Sequence, residues 1–188
     1  MTASLFRGST YCQTETLWSF GHSPASMTNG LWPLSGGGRC AVRALIVYHS
    51  RTGVTEKLMR AVGEELEHSG HRVEYHKLEP ARPLGYLGAG WAALRKREAE
   101  LKADLPKTLR TYELVIVAGP VQAGRTSAEL NTFLNNMPDG IGRRFGVFAT
   151  TGAGNAEGQM KSIKTRVEKV GGMIVYEDAV RKEVVMNP

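Results

Sequence analysis

The chain has 188 residues, 41% hydrophobic and 22% charged, which suits one domain with a proper core. No stretch approaches the roughly 18 apolar residues that a membrane-spanning helix needs. The formal net charge is +6; residues 1–40 hold only Arg7, Arg39 and Glu15, so the rest carries a mild basic surplus that requires no acidic partner.

Both cysteines, Cys12 and Cys40, lie in the first forty residues. There is no C-x-x-C pair and no cysteine/histidine cluster. That argues against zinc, iron–sulfur and thiol–disulfide chemistry, and no metal site is expected. A core free of cysteine fits a reducing, cytoplasmic compartment.

Residues 1–40 are rich in Ser, Thr and Gly, end in Gly36-Gly37-Gly38 and show no periodicity. They read as a disordered leader or linker, with Met27 as an alternative start, and residues 41–188 as the working domain. From Ala44 the chain enters a short apolar strand, Leu45-Ile46-Val47, as expected where both faces of a parallel sheet are covered. A hydroxyl-rich turn follows, Ser50-Arg51-Thr52-Gly53-Val54-Thr55, and then a helix over about 54–68. Val54, Leu58, Val62 and Leu66 recur every fourth residue as its core stripe. A helix that begins right behind a buried strand presents unpaired N–H groups and the positive end of its dipole, which together attract an anion. Three hydroxyls and a glycine strengthen the case for a phosphate monoester over a plain helix cap. The Walker pattern is absent, which disfavours a nucleoside triphosphate with magnesium.

Strand two is expected over about 72–78, followed by breaks at Pro80 and Pro83 and a helix over about 91–102. Strand three, Leu114 to Ala118, ends at Gly119-Pro120. A helix follows over about 127–136, with Ser127 as its N-cap and Leu130, Phe133, Leu134 and Met137 on one face. Strand four, Phe145 to Thr150, runs into a second hydroxyl and glycine loop, Thr150-Thr151-Gly152-Ala153-Gly154-Asn155. A helix with Met160, Ile163, Val167 and Val170 stops at Gly171-Gly172, and strand five is Met173 to Glu177. Alternating strands and helices mean an α/β fold, a five-stranded parallel doubly wound sheet. Ligands of such sheets bind beyond the carboxyl ends of the strands, where the strand order reverses. The loops at 49–55, 119–126 and 150–156 all lie at those ends.

Ser50, Thr52, Gly53 and Thr55 resemble the phosphate loop of the flavodoxin-like family, T/S-x-T-G-x-T. The run from Tyr112 through Leu114-Val115-Ile116-Val117-Ala118-Gly119-Pro120 to Arg125 is similar to the third strand and flavin loop of short bacterial members. The resemblance covers about residues 43–178. It implies a sheet order of 2-1-3-4-5, FMN as cofactor and redox chemistry. Ser50, Arg51, Thr52, Gly53, Val54 and Thr55 would hold the FMN phosphate. Pro120, Val121, Gln122, Ala123 and Gly124 would lie along the isoalloxazine edge near N5. Thr150, Thr151, Gly152, Ala153, Gly154 and Asn155 would flank the pyrimidine side and the ribityl chain. Two departures stand out. Gln122 takes the place of a stacking Trp or Tyr, leaving a flavin face to Tyr86 or Trp91 or to a substrate. The closing fifth helix is short or missing, which favours a homodimer.

Other candidates are weaker. His49 sits at a strand end and is expected to face solvent. Arg125 follows the flavin loop, within reach of an acidic partner or a nicotinamide phosphate. Arg95-Lys96-Arg97 is interrupted by Glu98 and Glu100 and makes no nucleic-acid surface. Gly152-Ala153-Gly154 is not a dinucleotide fingerprint. The expected function is an FMN-dependent oxidoreductase that passes hydride or electrons through flavin N5 to a small acceptor such as a quinone, with NAD(P)H as a donor and no catalytic side chain. Oxidation of protoporphyrinogen belongs to one branch of the same family. Two other readings stay open: a one-electron carrier docking redox protein partners, and an interaction domain that binds no flavin.

Overall fold

The structure, a computed structural model, describes residues 41–81, 98–152 and 155–186. The strands are β1 (Arg43–Tyr48), β2 (Arg72–Lys77), β3 (Leu114–Gln122), β4 (Arg125–Thr126), β5 (Arg144–Thr151) and β6 (Met173–Arg181). The helices are α1 (Val54–His68), α2 (Ala128–Asn135), α3 (Glu157–Lys169) and α4 (Lys182–Met186). The sheet runs β2-β1-β3-β5-β6, with every pairing along that path parallel. Setting aside the two-residue β4, which pairs antiparallel with β3 alone, this is the expected 2-1-3-4-5 order.

The three central strands are apolar because both of their faces are covered. Leu45, Val47, Val115, Val117, Phe145 and Val147 share one core cluster with Leu130, Phe133 and Leu134 of α2 and Ile163 and Val167 of α3. Alternation sends Ala44, Ile46 and Ile116 to the opposite face, where α1 packs on β1, β2 and β3. The edge strand β6 reads differently, with exposed and half-buried residues in turn and Met173 and Val175 open to solvent. Its far end is covered by the five-residue α4, through a cluster of Val54, Val180 and Val185. The closing helix is therefore short, as expected.

Three readings need correction. The buried face of α1 is Val54, Thr55, Met59, Gly63 and Leu66, whereas Leu58 and Val62 are half-buried. The stripe follows the 3.6-residue period and drifts away from strict fourth-residue spacing. Gly63 belongs to the buried face because a Cβ there would run into the Tyr75 ring. The helix expected over 91–102 is not formed at 98–102, where Leu101 instead makes an antiparallel bridge to Pro80. Its first part lies outside the described residues, as do Tyr86 and Trp91. Strand three also runs four residues further than expected, to Gln122.

Gly172 marks where α3 meets the core. A Cβ there would lie 2.7 Å from Phe145 Cδ2 and 2.8 Å from Val167 Cγ1. Both neighbours are fully buried, so neither can give way freely. Gly172→Ala is expected to destabilise the domain by about 1–3 kcal/mol, read from urea denaturation of wild type and variant.

Candidate functional site

Buried polar side chains gather at one end of the sheet. His49, Thr55, Thr126, Ser127, Glu129, Asn131, Thr150, Thr151 and Gln159 are the buried polar residues among those described. Each lies at the carboxyl end of a strand or within the first turn of the following helix. The expected loops meet at this end. Tyr48 is registered with Ala118, His49 N–H donates to Ala118 O at 3.1 Å, and Pro120 is registered with Thr150.

The turn at 50–55 is organised by its backbone. Gly53 caps α1 with φ +82°, a left-handed conformation that costs glycine nothing. No side chain caps through that residue, so neither Ser50 nor Thr52 is a conventional N-cap. The Ser50 hydroxyl instead accepts from Glu56 N–H at 3.2 Å, and Gly53 O accepts from Lys57 N–H at 2.9 Å. The N–H groups of Thr52, Gly53, Val54 and Thr55 meet no acceptor among the described residues. Thr52 and Gly53, the first half of this row, are exposed, whereas Val54 and Thr55 are buried. Thr55 is buried, and its hydroxyl lies 2.7 Å from that of Thr150. That bond ties the first loop directly to the end of β5.

The second expected loop is a hairpin. β3 continues through Val121 and Gln122, which pair with Thr126 and Arg125. The two turn residues, Ala123 and Gly124, have φ +49° and +72°, the type I′ geometry that matches strand twist. Pro120 to Gly124 therefore form a strand end and a tight turn rather than an open loop. The hairpin tip rests on α3, since a Cβ at Gly158 would lie 2.6 Å from Gly124 O. In the third loop, Thr150 and Thr151 are buried at the end of β5. Asn155 Oδ1 accepts from Glu157 N–H at 2.7 Å, and a Cβ at Gly152 would meet open space. Ala153 and Gly154 lie outside the described residues.

His49 does not face solvent. It is 4% exposed, and its Nδ1 lies 2.9 Å from Leu78 O. A carbonyl can only accept, so Nδ1 carries the hydrogen. Nε2 then lies 3.5 Å from Glu129 Oε2, which is buried without a hydrogen-bond partner. Glu129 sits in the first turn of α2, where the helix dipole favours a carboxylate. His49, Ser50, Arg51, Gln122 and Glu129 line a cavity of about 260 Å³ with the ends of β2. The Gln122 Oε1 atom is buried in that wall without a partner.

Gln159 escaped sequence reasoning altogether. It is fully buried and donates from Nε2 to Gly119 O at 3.0 Å, fixing the end of β3 from α3. Glu129 and Thr126 were missed in the same way. Polar residues in the first turn of a helix behind a strand were the signal available.

The Thr55–Thr150 bond can be tested by itself. Thr55→Val keeps the shape but strands the buried Thr150 hydroxyl, and should cost about 1–3 kcal/mol in urea denaturation. Adding Thr150→Val removes both partners, so the double variant should lose less than the sum of the singles. Strict additivity would mean that the two hydroxyls do not interact.

With this geometry in place, comparison with known proteins is informative. A family model described as NADPH-dependent FMN reductase matches residues 42–180. Over 95 residues the chain is 26% identical to an NAD(P)H dehydrogenase (quinone) from Archaeoglobus fulgidus, a match that covers 50% of this chain and 50% of that protein. The chain thus aligns with about half the length of that relative. A flavoprotein in complex with FMN from Lactobacillus acidophilus NCFM superposes with a TM-score of 0.62 at 18% identity, covering 78% of this chain and 97% of that one. Oxidised flavodoxin 2 from Bacillus cereus gives 0.54 at 19% identity, covering 74% and 84%. At such identities the structural likeness shows the fold, which is flavodoxin-like. The family model spans most of the domain, and the chain belongs to the NADPH-dependent FMN reductase family.

Proposed function

We propose that the chain is an FMN-dependent oxidoreductase in which FMN sits on the loops at 50–55, 120–124 and 150–155. NAD(P)H supplies the electrons and a small acceptor such as a quinone receives them. The observation that carries this reading is the row of N–H groups from Thr52 to Thr55, exposed at Thr52 and Gly53 and without acceptors among the described residues, at the positive end of α1. These groups fit a phosphate monoester, because they supply several donors and no competing negative charge. The family description and the FMN-bound structural relative support FMN as the ligand. The quinone dehydrogenase from Archaeoglobus fulgidus supports the donor and acceptor classes.

Bound FMN would supply the two-electron chemistry. The protein's part is to hold and orient it. The 50–55 backbone would fix the phosphate, and the Thr55–Thr150 bond would keep that loop in register with the loop beyond β5. The hairpin turn at Ala123-Gly124 would present backbone to the isoalloxazine edge. Gln122 points into the 260 Å³ cavity and carries no ring to stack on a flavin face, which leaves that face open to a planar substrate. Residues 41–188 would form this working domain, with 1–40 as a leader or linker.

Titration of riboflavin 5′-phosphate into the protein should quench the flavin fluorescence, and riboflavin lacking the phosphate should bind far more weakly. Thr52→Glu sets a carboxylate against the phosphate and should weaken binding by about tenfold or more. Full fluorescence over wild-type protein, or an unchanged affinity in the variant, would sink the assignment. FMN-loaded protein should also turn over a soluble quinone with NADPH. Failure with every small acceptor, with flavin bound, would favour the electron-carrier reading.

A further inference from the structure

A larger cavity, about 640 Å³, opens between the β3–β4 hairpin, α2 and α3. Arg125, Lys161 and Arg166 line it together with Thr126, Asn131 and Ser162, and no carboxylate is among the described lining residues. Arg125 and Lys161 are exposed at its mouth, while Arg166 is half-buried in its wall. Arg166 Nη1 donates to Asn131 Oδ1 at 3.1 Å and to Ser162 Oγ at 3.0 Å. Asn131 is itself held by Thr126 O, which accepts from its Nδ2 at 3.4 Å. The guanidinium is thus positioned by neutral acceptors, and no ion pair to it occurs among the described residues. Desolvation pulls its pKa below the ordinary value, and the charge of Glu98 acts in the other direction. A half-buried cation with no ion pair in contact among the described residues is a costly arrangement for a wall of purely structural use.

A second observation concerns the same wall. Thr126 is 2% exposed and its Oγ1 has no hydrogen-bond partner. A buried hydroxyl left unpaired asks for an explanation, and the residue that carries it borders the cavity.

We propose that this cavity is a second anion site, distinct from the loop at 50–55, and that it takes a phosphate monoester dianion. Three cations with no carboxylate among the described lining residues favour a doubly charged group over a single carboxylate. The volume exceeds that of a bare phosphate, leaving room for the sugar it esterifies. Two sources share this chemistry. One is the 2′-phosphate of NADPH, since Ala123 and Gly124 also border the cavity and the reading above sets them along the flavin edge. The other is a free sugar or nucleotide monophosphate; the first source rests on the oxidoreductase reading, the second does not.

The full chain, with and without FMN, is titrated calorimetrically with 2′-AMP and with adenosine. 2′-AMP should bind and adenosine should not. The Arg125→Ala/Lys161→Ala double variant should lose about tenfold or more in 2′-AMP affinity with its FMN affinity and melting temperature unchanged. If the variant's preference for NADPH over NADH falls in parallel, the dinucleotide is the source. If that preference is unmoved while 2′-AMP binding is lost, the source is a free ester. No heat from 2′-AMP at millimolar concentration, or equal affinity in wild type and double variant, overturns the site. Absence of turnover with either nucleotide defeats the oxidoreductase reading instead, and leaves the 2′-AMP titration interpretable.

Discussion

The first turn of α1 has four N–H groups that the helix itself cannot satisfy, and much else in the domain follows from where they point. They emerge at the carboxyl end of β1, which has β2 on one side and β3 on the other, the position at which the strand order reverses. Gly53 turns the chain in the left-handed region and, as the N-cap, brings no side chain to the donors. Ser50 takes the Glu56 N–H and Gly53 O takes that of Lys57, while those of Thr52 to Thr55 meet no acceptor among the described residues. Ser127 plays the same part at α2, where it is the N-cap itself and accepts from Leu130 N–H. The two helix starts differ in the N-cap residue, a glycine with positive φ at α1 and a serine at α2.

The polar residues around that opening are held by contacts distant in sequence. Thr55 reaches Thr150 across 95 positions, Gln159 reaches Gly119 across 40, and His49 reaches Leu78 across 29. Each bond satisfies a group that would otherwise be buried at a cost of about 1–3 kcal/mol. Their combined effect is to lock the ends of β1, β2, β3 and β5 relative to one another. Loops that carry function are positioned by rigid elements, and here the rigidity comes from side-chain ties at the sheet edge.

The sheet was legible in the sequence because its central strands are buried on both faces. Leu45-Ile46-Val47 and Leu114-Val115-Ile116-Val117 have no polar interruption, and each is followed by turn residues and then a helix. The 50–55 loop was legible for a similar reason, since its hydroxyls and glycine sit behind a strand with no lysine. The hairpin at 121–126 was not. Its turn needs positive φ at two residues, one of them Ala123, and alanine gives no hint of that. The burial of His49 was hidden too, because its partners Leu78 and Glu129 come from other elements. The stripe on α1 was misplaced by a register that only packing against Tyr75 decides. Local chemistry was therefore readable, whereas anything fixed by a long-range partner was not.

Stability and function pull in different directions across this sheet. At the amino ends of the strands the described core is apolar, and no polar side chain is buried there. At the carboxyl ends the buried set includes a histidine, a glutamate, two amides and five hydroxyls. Orphaned atoms of Gln122, Thr126, Glu129 and Gln159 add to that cost. A sequence selected for stability alone would have no reason to place these groups together, since apolar residues of similar volume would remove the desolvation penalty. These groups are confined to the end of the sheet that carries the N–H row of α1 and the two cavities beside it, which is where the proposed ligand sites lie. The apolar centre of the sheet offsets their cost, through strands whose side chains are almost wholly withdrawn from water.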